Sequence, residues 1–255
     1  IFSYISTQFI AHNTIFNLLI LLLGIFLFLI SFKKISLNKK YLKLFIVIFL
    51  LSFIFILVGK NHDDFFYYHF PYILALTEYA HPIGLGNLNH GFKTHSSIFL
   101  LSSLFHLPGA KYNLFHLGPV YILIFCNYII LRIIFDKEVQ KKYNFITYLS
   151  LSSLVFINIF FSRLGEHGTD RSAMILIITL VINILYFINQ NKKKIDDNYL
   201  KFFTIIFTII VSLKAFYLIY IIIFIPLVLH VYIKTKSFKL FFNMNLLYCL
   251  TLFGF

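Results

Sequence analysis

Two adjacent carboxylates, Asp63 and Asp64, stand in the stretch NHDDFFYYHF at residues 61–70, directly after a long apolar run. Asp and Glu together number only nine among 255 residues, so a carboxylate pair at this position is unusual. A carboxylate at a membrane surface can act as a general base or coordinate a divalent cation. His62 and His69 flank the pair, and imidazoles can join a metal site or contact phosphate.

The whole segment 60–96 is rich in such groups. It holds five of the ten histidines: His62, His69, His81, His90 and His95. Pro71 suits the first turn of a short helix over 71–80, which we expect to lie at the membrane interface. The glycine-rich stretch HPIGLGNLNHG predicts irregular backbone whose N–H groups can approach an anion. This combination suits a lipid with a phosphate headgroup, although a merely solvated polar loop has similar residues.

A second polar stretch, SRLGEHGTDRS, covers residues 162–172. Its charged residues are Arg163, Glu166, Asp170 and Arg171. Asp170 shortly precedes an apolar helix predicted over 173–188, so it can belong to a site. Alternatively Thr169, Asp170 or Ser172 simply caps that helix and complements its dipole, and the arginines anchor the interface.

Lys214, in TIIVSLKAFYLIYIII, lies well away from the lysine-rich connectors of the chain. An ionisable residue flanked by apolar segments is a functional candidate. It can line a cavity and pair with a phosphate or an acid. The alternative is a lysine whose side chain reaches the interface from a short external turn.

Composition determines the class of protein that must position these groups. Hydrophobic residues make up 60% and charged residues 12%, with a mean hydropathy of +0.88. Uncharged runs such as 15–32 and 44–59 approach the roughly 20 residues that a membrane-spanning helix needs. We therefore predict an all-α, polytopic transmembrane protein with about seven to nine membrane segments. Both cysteines lie in apolar runs, which indicates neither a disulfide nor a metal site.

The net charge of +13 is concentrated in short connectors, which argues against nucleic-acid binding. The lysine-rich connectors are 33–43, 136–144, 189–201 and 234–239. The positive-inside rule makes them cytoplasmic, where they can contact anionic lipid. Segments 60–96 and 162–172 then become the first and second external loops, while 97–108 is too short to span. We expect residues 1–255 to be a single transmembrane domain and a fragment of a longer chain.

The first external loop resembles an uncharacterised family of bacterial multi-spanning proteins (the "LIC" family). That family carries D-x-x-x-Y-H, then G-L-G-N-L and a pair of serines. The matching positions are Asp64, Tyr68, His69, Gly84, Leu85, Gly86, Asn87, Leu88, Ser96 and Ser97. The family has His directly after G-L-G-N-L and Arg two residues further on. Here those positions are Asn89 and Gly91, with His90 and Lys93 nearby.

More broadly, the layout resembles the GT-C fold of lipid-phosphate-sugar glycosyltransferases. Those enzymes have an acidic residue in the first external loop and often an S-R…D pattern in the second, matched here by Ser162, Arg163 and Asp170. The resemblance implies a glycosyltransferase of the bacterial inner membrane with its site on the extracytoplasmic face. It would transfer sugar from a polyprenyl phosphate to an acceptor, with inversion.

The resemblance also implies roles for individual residues. Asp64 would be the general base and Asp170 a second catalytic carboxylate. A divalent cation, Mg²⁺ or Mn²⁺, would be held by Asp64, Glu166 and Asp170. Substrate would contact Tyr68, His69, Asn87, His90, Lys93, Arg163 and Lys214. The alternative function is a transporter or flippase that moves a lipid-linked or anionic solute without bond chemistry.

Overall fold

The computed structural model describes residues 2–32, 39–57, 64–80, 84–88, 90–93, 96–110, 112–160, 169–190 and 197–239. The secondary-structure elements that these residues form are all helices. Among them, four helices are long and apolar enough to cross a membrane: Thr14–Ser31, Leu114–Ile134, Thr169–Asn189 and Ala215–Thr235. The predicted class, a helical membrane protein, is confirmed at this level. The count of seven to nine segments stays a prediction.

Where the sequence predicts one domain, the structure divides the chain into two compact units. The first unit is 1–128 with 162–169, and the second is 129–161 with 170–255. In the first unit the helices are α1 Phe2–Phe9, α2 Thr14–Phe32, α3 Lys39–Leu57, a π-helix Phe65–His69, α4 Phe70–Glu78, α5 Leu85–Leu88, a 3₁₀ helix His90–Lys93, α6 Ser97–Ser103, a 3₁₀ helix Tyr112–His116 and α7 Leu117–Ile134, which continues into the second unit.

The second unit continues from the end of α7. Its helices are α8 Lys137–Lys142, α9 Asn144–Phe160, α10 Thr169–Asn189, α11 Asp197–Leu213, a 3₁₀ helix Ala215–Ile223 and α12 Phe224–Thr235. Three prolines, Pro71, Pro119 and Pro226, fall within the first three residues of α4, α7 and α12. Proline is tolerated there because the first helical N–H groups have no carbonyl partner inside the α-helix.

Helix α6 lies in the interior of the first unit. Ile98, Phe99 and Leu100 are buried, and α4 packs on this helix through its own buried face. Gly118 of α7 approaches so closely that a Cβ there would lie 2.5 Å from Ser102 Oγ. The segment 97–108, predicted to be too short to span, is thus part of a protein core.

A fully buried histidine, His12, joins the N-terminal segment to α6. Its Nε2 lies 2.7 Å from Ser6 Oγ and its Nδ1 lies 2.7 Å from Ser103 Oγ. Asn17 Nδ2 donates to the carbonyls of His12 and Ser103 at 2.7 and 2.8 Å. Burial lowers the pKa of His12 to about 4. The ring is therefore neutral at pH 7, as its two hydroxyl partners allow.

In the second unit, α11 and the segment 215–235 form an antiparallel hairpin. Phe207 and Phe224 stack edge to face with ring centroids 5.2 Å apart, although 17 residues separate them in sequence. Phe187 of α10 contacts Phe203 at 5.7 Å and His230 at 6.1 Å, so α10 packs against both arms. Lys214 is thereby located at the tip of the hairpin.

The C-terminal end of α10 is also held by polar contacts. Asp136 caps α8 by accepting from the Glu138 N–H at 2.9 Å, and it accepts a long hydrogen bond from the Tyr186 hydroxyl at 3.4 Å. Tyr186 and Asp170 are 16 residues apart on α10, which corresponds to about 24 Å along the axis. The two ends of this helix are thus separated by most of a bilayer's hydrocarbon thickness.

Three predicted boundaries differ from the structure. Helix α10 begins at Thr169 and not at 173, so Asp170 lies inside its first turn and residues 169–172 are not loop. The stretch predicted to be irregular contains α5 and the 3₁₀ helix His90–Lys93. Helix α3 begins at Lys39, before the predicted 44, because lysine is a good helix former when its side chain can reach water.

The His12 contacts predict a pH-dependent stability of the first unit. The folded-state pKa of about 4 lies below the ordinary histidine pKa of 6.5, so protons bind preferentially to the unfolded chain. The stability that His12 contributes is complete above pH 6.5 and falls as the pH drops from 6.5 towards 4, by at most about 3 kcal/mol. Thermal unfolding in detergent from pH 7.5 to 4.5 measures it, and His12→Asn should flatten the profile. An unchanged profile in that variant would contradict the assignment.

Candidate functional site

Asp64 lies at the start of a π-helix formed entirely by FFYYH. The N–H of Phe70 bonds to the carbonyl of Phe65, five residues back, which is the π-helical pattern. Phe65 and His69, four residues apart, are buried, whereas Asp64 and Tyr68 are half-buried. π-Helical turns are rare and occur frequently at functional sites because they shift the side chains that follow out of α-helical register.

Aromatic rings hold this turn in place. The His69 ring lies 4.2 Å from Tyr68 and 5.0 Å from Phe99 of α6. Tyr72 packs 5.3 Å from Phe99 and 6.0 Å from Phe92, and burial raises the pKa of its hydroxyl. His69 is therefore a packed ring beneath Tyr68, and its predicted contact with substrate stays a prediction.

Gly91 brings the second part of the first loop against the π-helix. A Cβ at this position would lie 2.6 Å from Tyr68 Cγ, so only glycine lets the backbone come this close. The adjoining α5 and the 3₁₀ helix His90–Lys93 pack on each other, with Lys93 beside Gly86. Three predicted binding residues on these two elements are exposed: Asn87, His90 and Lys93. The structure thus places their segment next to that of Asp64.

Asp170 and Lys214 form an ion pair in the second unit. Lys214 Nζ lies 2.6 Å from one Asp170 carboxylate oxygen and 2.7 Å from the other. Both side chains are about half exposed, at 43% and 48%. Lys214 itself has extended backbone between α11 and the 3₁₀ helix. The hairpin tip is therefore held at the first turn of α10. Lys214 pairs with an acid, which is what its interpretation as a functional candidate expected.

The first turn of α10 has positive groups beside Asp170. The helix N-terminus contributes about half a positive charge, and Lys214 adds its ammonium. Arg171 follows Asp170 in the sequence. The Tyr217 hydroxyl also reaches this turn, donating to the Asp170 carbonyl at 3.5 Å. The arrangement is suited to an anion.

The predicted site residues divide between the units. Asp64, Tyr68, His69, Asn87, His90 and Lys93 belong to the first unit, while Asp170 and Lys214 belong to the second. Arg163 and Glu166 lie outside the described residues. The convergence of Asp64 and Asp170 on one cavity stays a prediction.

The predicted metal site stays a prediction, because Glu166, one of its three expected ligands, lies outside the described residues. Within the described ranges, no three residues of the types His, Cys, Asp and Glu come together as a metal site would need. The Lys214 ammonium contacts both Asp170 oxygens.

Sequence reasoning missed two features of this site. It did not find the π-helix, because the five aromatic residues of FFYYH have no established π-helical signature. It also missed Tyr217, which follows Lys214 by three residues. That spacing is the signal of a 3₁₀ face, but an apolar run of this length is read as α-helix by default.

The family model described as "Domain of unknown function (DUF8201)" matches residues 1–255. The chain belongs to the DUF8201 family. No curated protein and no solved structure matches it.

Gly91 provides a direct test of the first-loop packing. Gly91→Ala should force Tyr68 off the loop and lower the free energy of unfolding by about 1–3 kcal/mol, because the added methyl overlaps the ring. Gly24→Ala is the control, since nothing lies within 4 Å of its Cβ position and alanine favours helix. Thermal unfolding of the full chain in detergent measures both. Equal stability of the two variants would contradict the packing.

The ion pair predicts a partial rescue by charge exchange. Lys214→Asp alone should destabilise the hairpin tip, although by no more than about 1 kcal/mol, because the pair is half exposed. Adding Asp170→Lys restores an opposite-charge pair but places a cation at the α10 N-terminus, so recovery should be incomplete. Lys201→Asp, which breaks the pair with Asp197 inside α11, is the control for a local effect. Asp170→Lys should give no recovery in the Lys201→Asp background.

Proposed function

We propose that this DUF8201 protein is an integral membrane glycosyltransferase that takes a sugar from a lipid phosphate and passes it to an acceptor hydroxyl. The donor would be a polyprenyl-phosphate-linked sugar, and the reaction would occur at the extracytoplasmic face of a bacterial inner membrane. The GT-C-like layout of the sequence supports the reaction class. The structure supports the proposal through one arrangement in particular, the Asp170–Lys214 pair.

That pair holds a lysine at the end of a membrane-spanning helix, where a lipid phosphate would lie. An ammonium has three N–H donors, and the Asp170 oxygens take two at most. Lys214 can therefore bind a phosphate oxygen while Asp170 keeps it in place. The positive end of α10 adds to the attraction, as helix N-termini commonly do for phosphate.

The proposed reaction is a single displacement at the anomeric carbon. The Asp64 carboxylate accepts the proton of the acceptor hydroxyl as its oxygen bonds to that carbon. The bond between the carbon and the phosphate oxygen breaks, and the phosphate leaves with the electron pair. The leaving phosphate needs positive charge as the bond breaks, which a divalent cation, Lys214 or Arg163 would supply. The sugar inverts because the acceptor attacks opposite the phosphate.

A transporter or flippase would use the same residues differently. Transporters often place their binding groups near the bilayer midplane at broken helices. Lys214 instead lies at the tip of a hairpin, beside the first turn of α10. We therefore favour transfer chemistry and let the experiment below distinguish the two functions.

Asp64→Asn is the decisive variant for the reaction. Expressed from the complete gene, it should reduce the glycolipid product by at least about 100-fold, because general bases typically contribute 10²–10⁴ to the rate. Asp63→Asn, the same chemical change one residue earlier, is the control and should keep most of the product. Radiolabelled sugar transfer in membranes, normalised to protein abundance, measures both.

Two outcomes would contradict the proposal. Full product from a normally abundant Asp64→Asn variant would remove Asp64 from the reaction. Solute or lipid movement by the reconstituted protein, with no sugar transferred, would favour the transporter.

A further inference from the structure

The tip of the α11–α12 hairpin contacts one residue of α10, Asp170, in two different ways. Lys214 Nζ lies 2.6 and 2.7 Å from the two carboxylate oxygens. The Tyr217 hydroxyl donates to the backbone carbonyl of the same residue at 3.5 Å. The first contact is to a side chain that can turn, whereas the second is to the backbone of a helix.

The backbone contact is the more rigid of the two. Asp170 is the second residue of α10, so its carbonyl accepts the helical N–H four residues on and has a fixed direction. A carbonyl oxygen has two lone pairs, so the Tyr217 hydroxyl can share it with the helix. A distance of 3.5 Å is long for an O–H···O hydrogen bond, and the bond is accordingly weak. It nevertheless determines where the Tyr217 ring lies.

Tyr217 is itself joined to Lys214 through the backbone. Its side chain is 8% exposed, and its ring stacks on that of Tyr220 with centroids 5.7 Å apart. Its N–H bonds to the Lys214 carbonyl at 3.1 Å, at the start of the 3₁₀ helix Ala215–Ile223. The Lys214 N–H in turn bonds to the Ile210 carbonyl at 3.3 Å. The backbone of Lys214 is therefore held by Tyr217 and by the end of α11, independently of its ammonium group.

A lysine that binds a phosphate benefits from such support. Its ammonium is a point charge on a flexible four-carbon chain, and it loses rotamer freedom when it is held at one partner. If the Asp170 carboxylate alone held the hairpin tip, a phosphate that draws the ammonium away would also free the tip. A second contact to the backbone of Asp170 prevents this.

We propose that Tyr217 is a positioning residue for Lys214. Its hydroxyl keeps the hairpin tip at the first turn of α10 while the Lys214 ammonium is shared between Asp170 and a phosphate. Tyr217 does not contact the phosphate and acts only through Lys214. This inference rests on the proposed function, in which phosphate is the ligand of Lys214, and adds an uncharged residue on which phosphate binding depends.

Binding of polyprenyl phosphate to the full chain in detergent micelles, measured by ³¹P NMR titration, tests the inference. Tyr217→Phe keeps the ring and its stacking and removes only the hydroxyl. It should weaken binding about threefold, because one long hydrogen bond is lost. Tyr220→Phe is the matched control, since it is the same chemical change three residues further along the same 3₁₀ helix. It should bind as tightly as the unaltered protein.

A double-mutant cycle distinguishes positioning from a general structural role. Lys214→Met removes the charge, keeps most of the unbranched side chain and should weaken binding at least about tenfold. Because Tyr217 acts through Lys214, Tyr217→Phe should have no further effect in the Lys214→Met background. A general loss of packing would instead weaken binding by the same factor in both backgrounds. Thermal unfolding of each variant in detergent checks that the compared proteins are folded.

The outcomes separate this inference from the proposed function. If Lys214→Met weakens binding and Tyr217→Phe does not, Tyr217 is not a positioning residue and the phosphate site stands. An equal effect of Tyr217→Phe with and without Lys214, or an equal loss in Tyr220→Phe, would also overturn the positioning role. If Lys214→Met leaves binding unchanged, the proposed phosphate site itself fails.

Discussion

The ion pair between Lys214 and Asp170 fixes where the tip of the α11–α12 hairpin lies in the second unit. A lysine at the end of two apolar segments is costly unless its charge is neutralised or reaches water. Asp170 neutralises it at 2.6–2.7 Å while leaving both side chains half exposed. The pair therefore holds the tip of the α11–α12 hairpin against the first turn of α10. The aromatic contacts of Phe187 and Phe207 follow along the same helices.

The same interaction gives the protein a chemical asymmetry. The charge of Lys214 at an exposed helix end contributes little to stability. It can therefore take part in binding a ligand without loss of the fold. Asp170 holds the ammonium at the first turn of α10, whose N-terminus adds partial positive charge. The Tyr217 hydroxyl, on the 3₁₀ helix that follows Lys214, reaches the same turn. A phosphate ligand at this end of α10 is a proposal that these contacts support.

Close packing joins the described segments of the first unit. Gly91 and Gly118 let neighbouring segments approach Tyr68 and Ser102 more closely than any Cβ would allow. Rings around Phe99 support the π-helix, and the hydrogen bonds of His12 attach the N-terminal segment to α6. Asp64 directly precedes this packed π-helix.

The sequence by itself determined the membrane class and where the charged groups occur. Uncharged apolar runs such as 15–32 are long enough to cross lipid as helices, in which the backbone satisfies its own hydrogen bonds. It also singled out Lys214 and Asp170 as candidates, because isolated charges beside apolar runs need a partner. It could not decide that they pair with each other, since 44 residues separate them.

Only the tertiary structure decided those details that depend on contacts distant in sequence. Local periodicity does not distinguish a 3₁₀ or π-helix from an α-helix in an apolar run, because all three present a hydrophobic surface. The π-helix at Phe65–His69 packs against Phe99 of α6, and the 3₁₀ helix at Ala215–Ile223 is joined to α10 by the hydrogen bond from the Tyr217 hydroxyl to the Asp170 carbonyl. Neither contact could be predicted from local sequence, because its partners are distant along the chain.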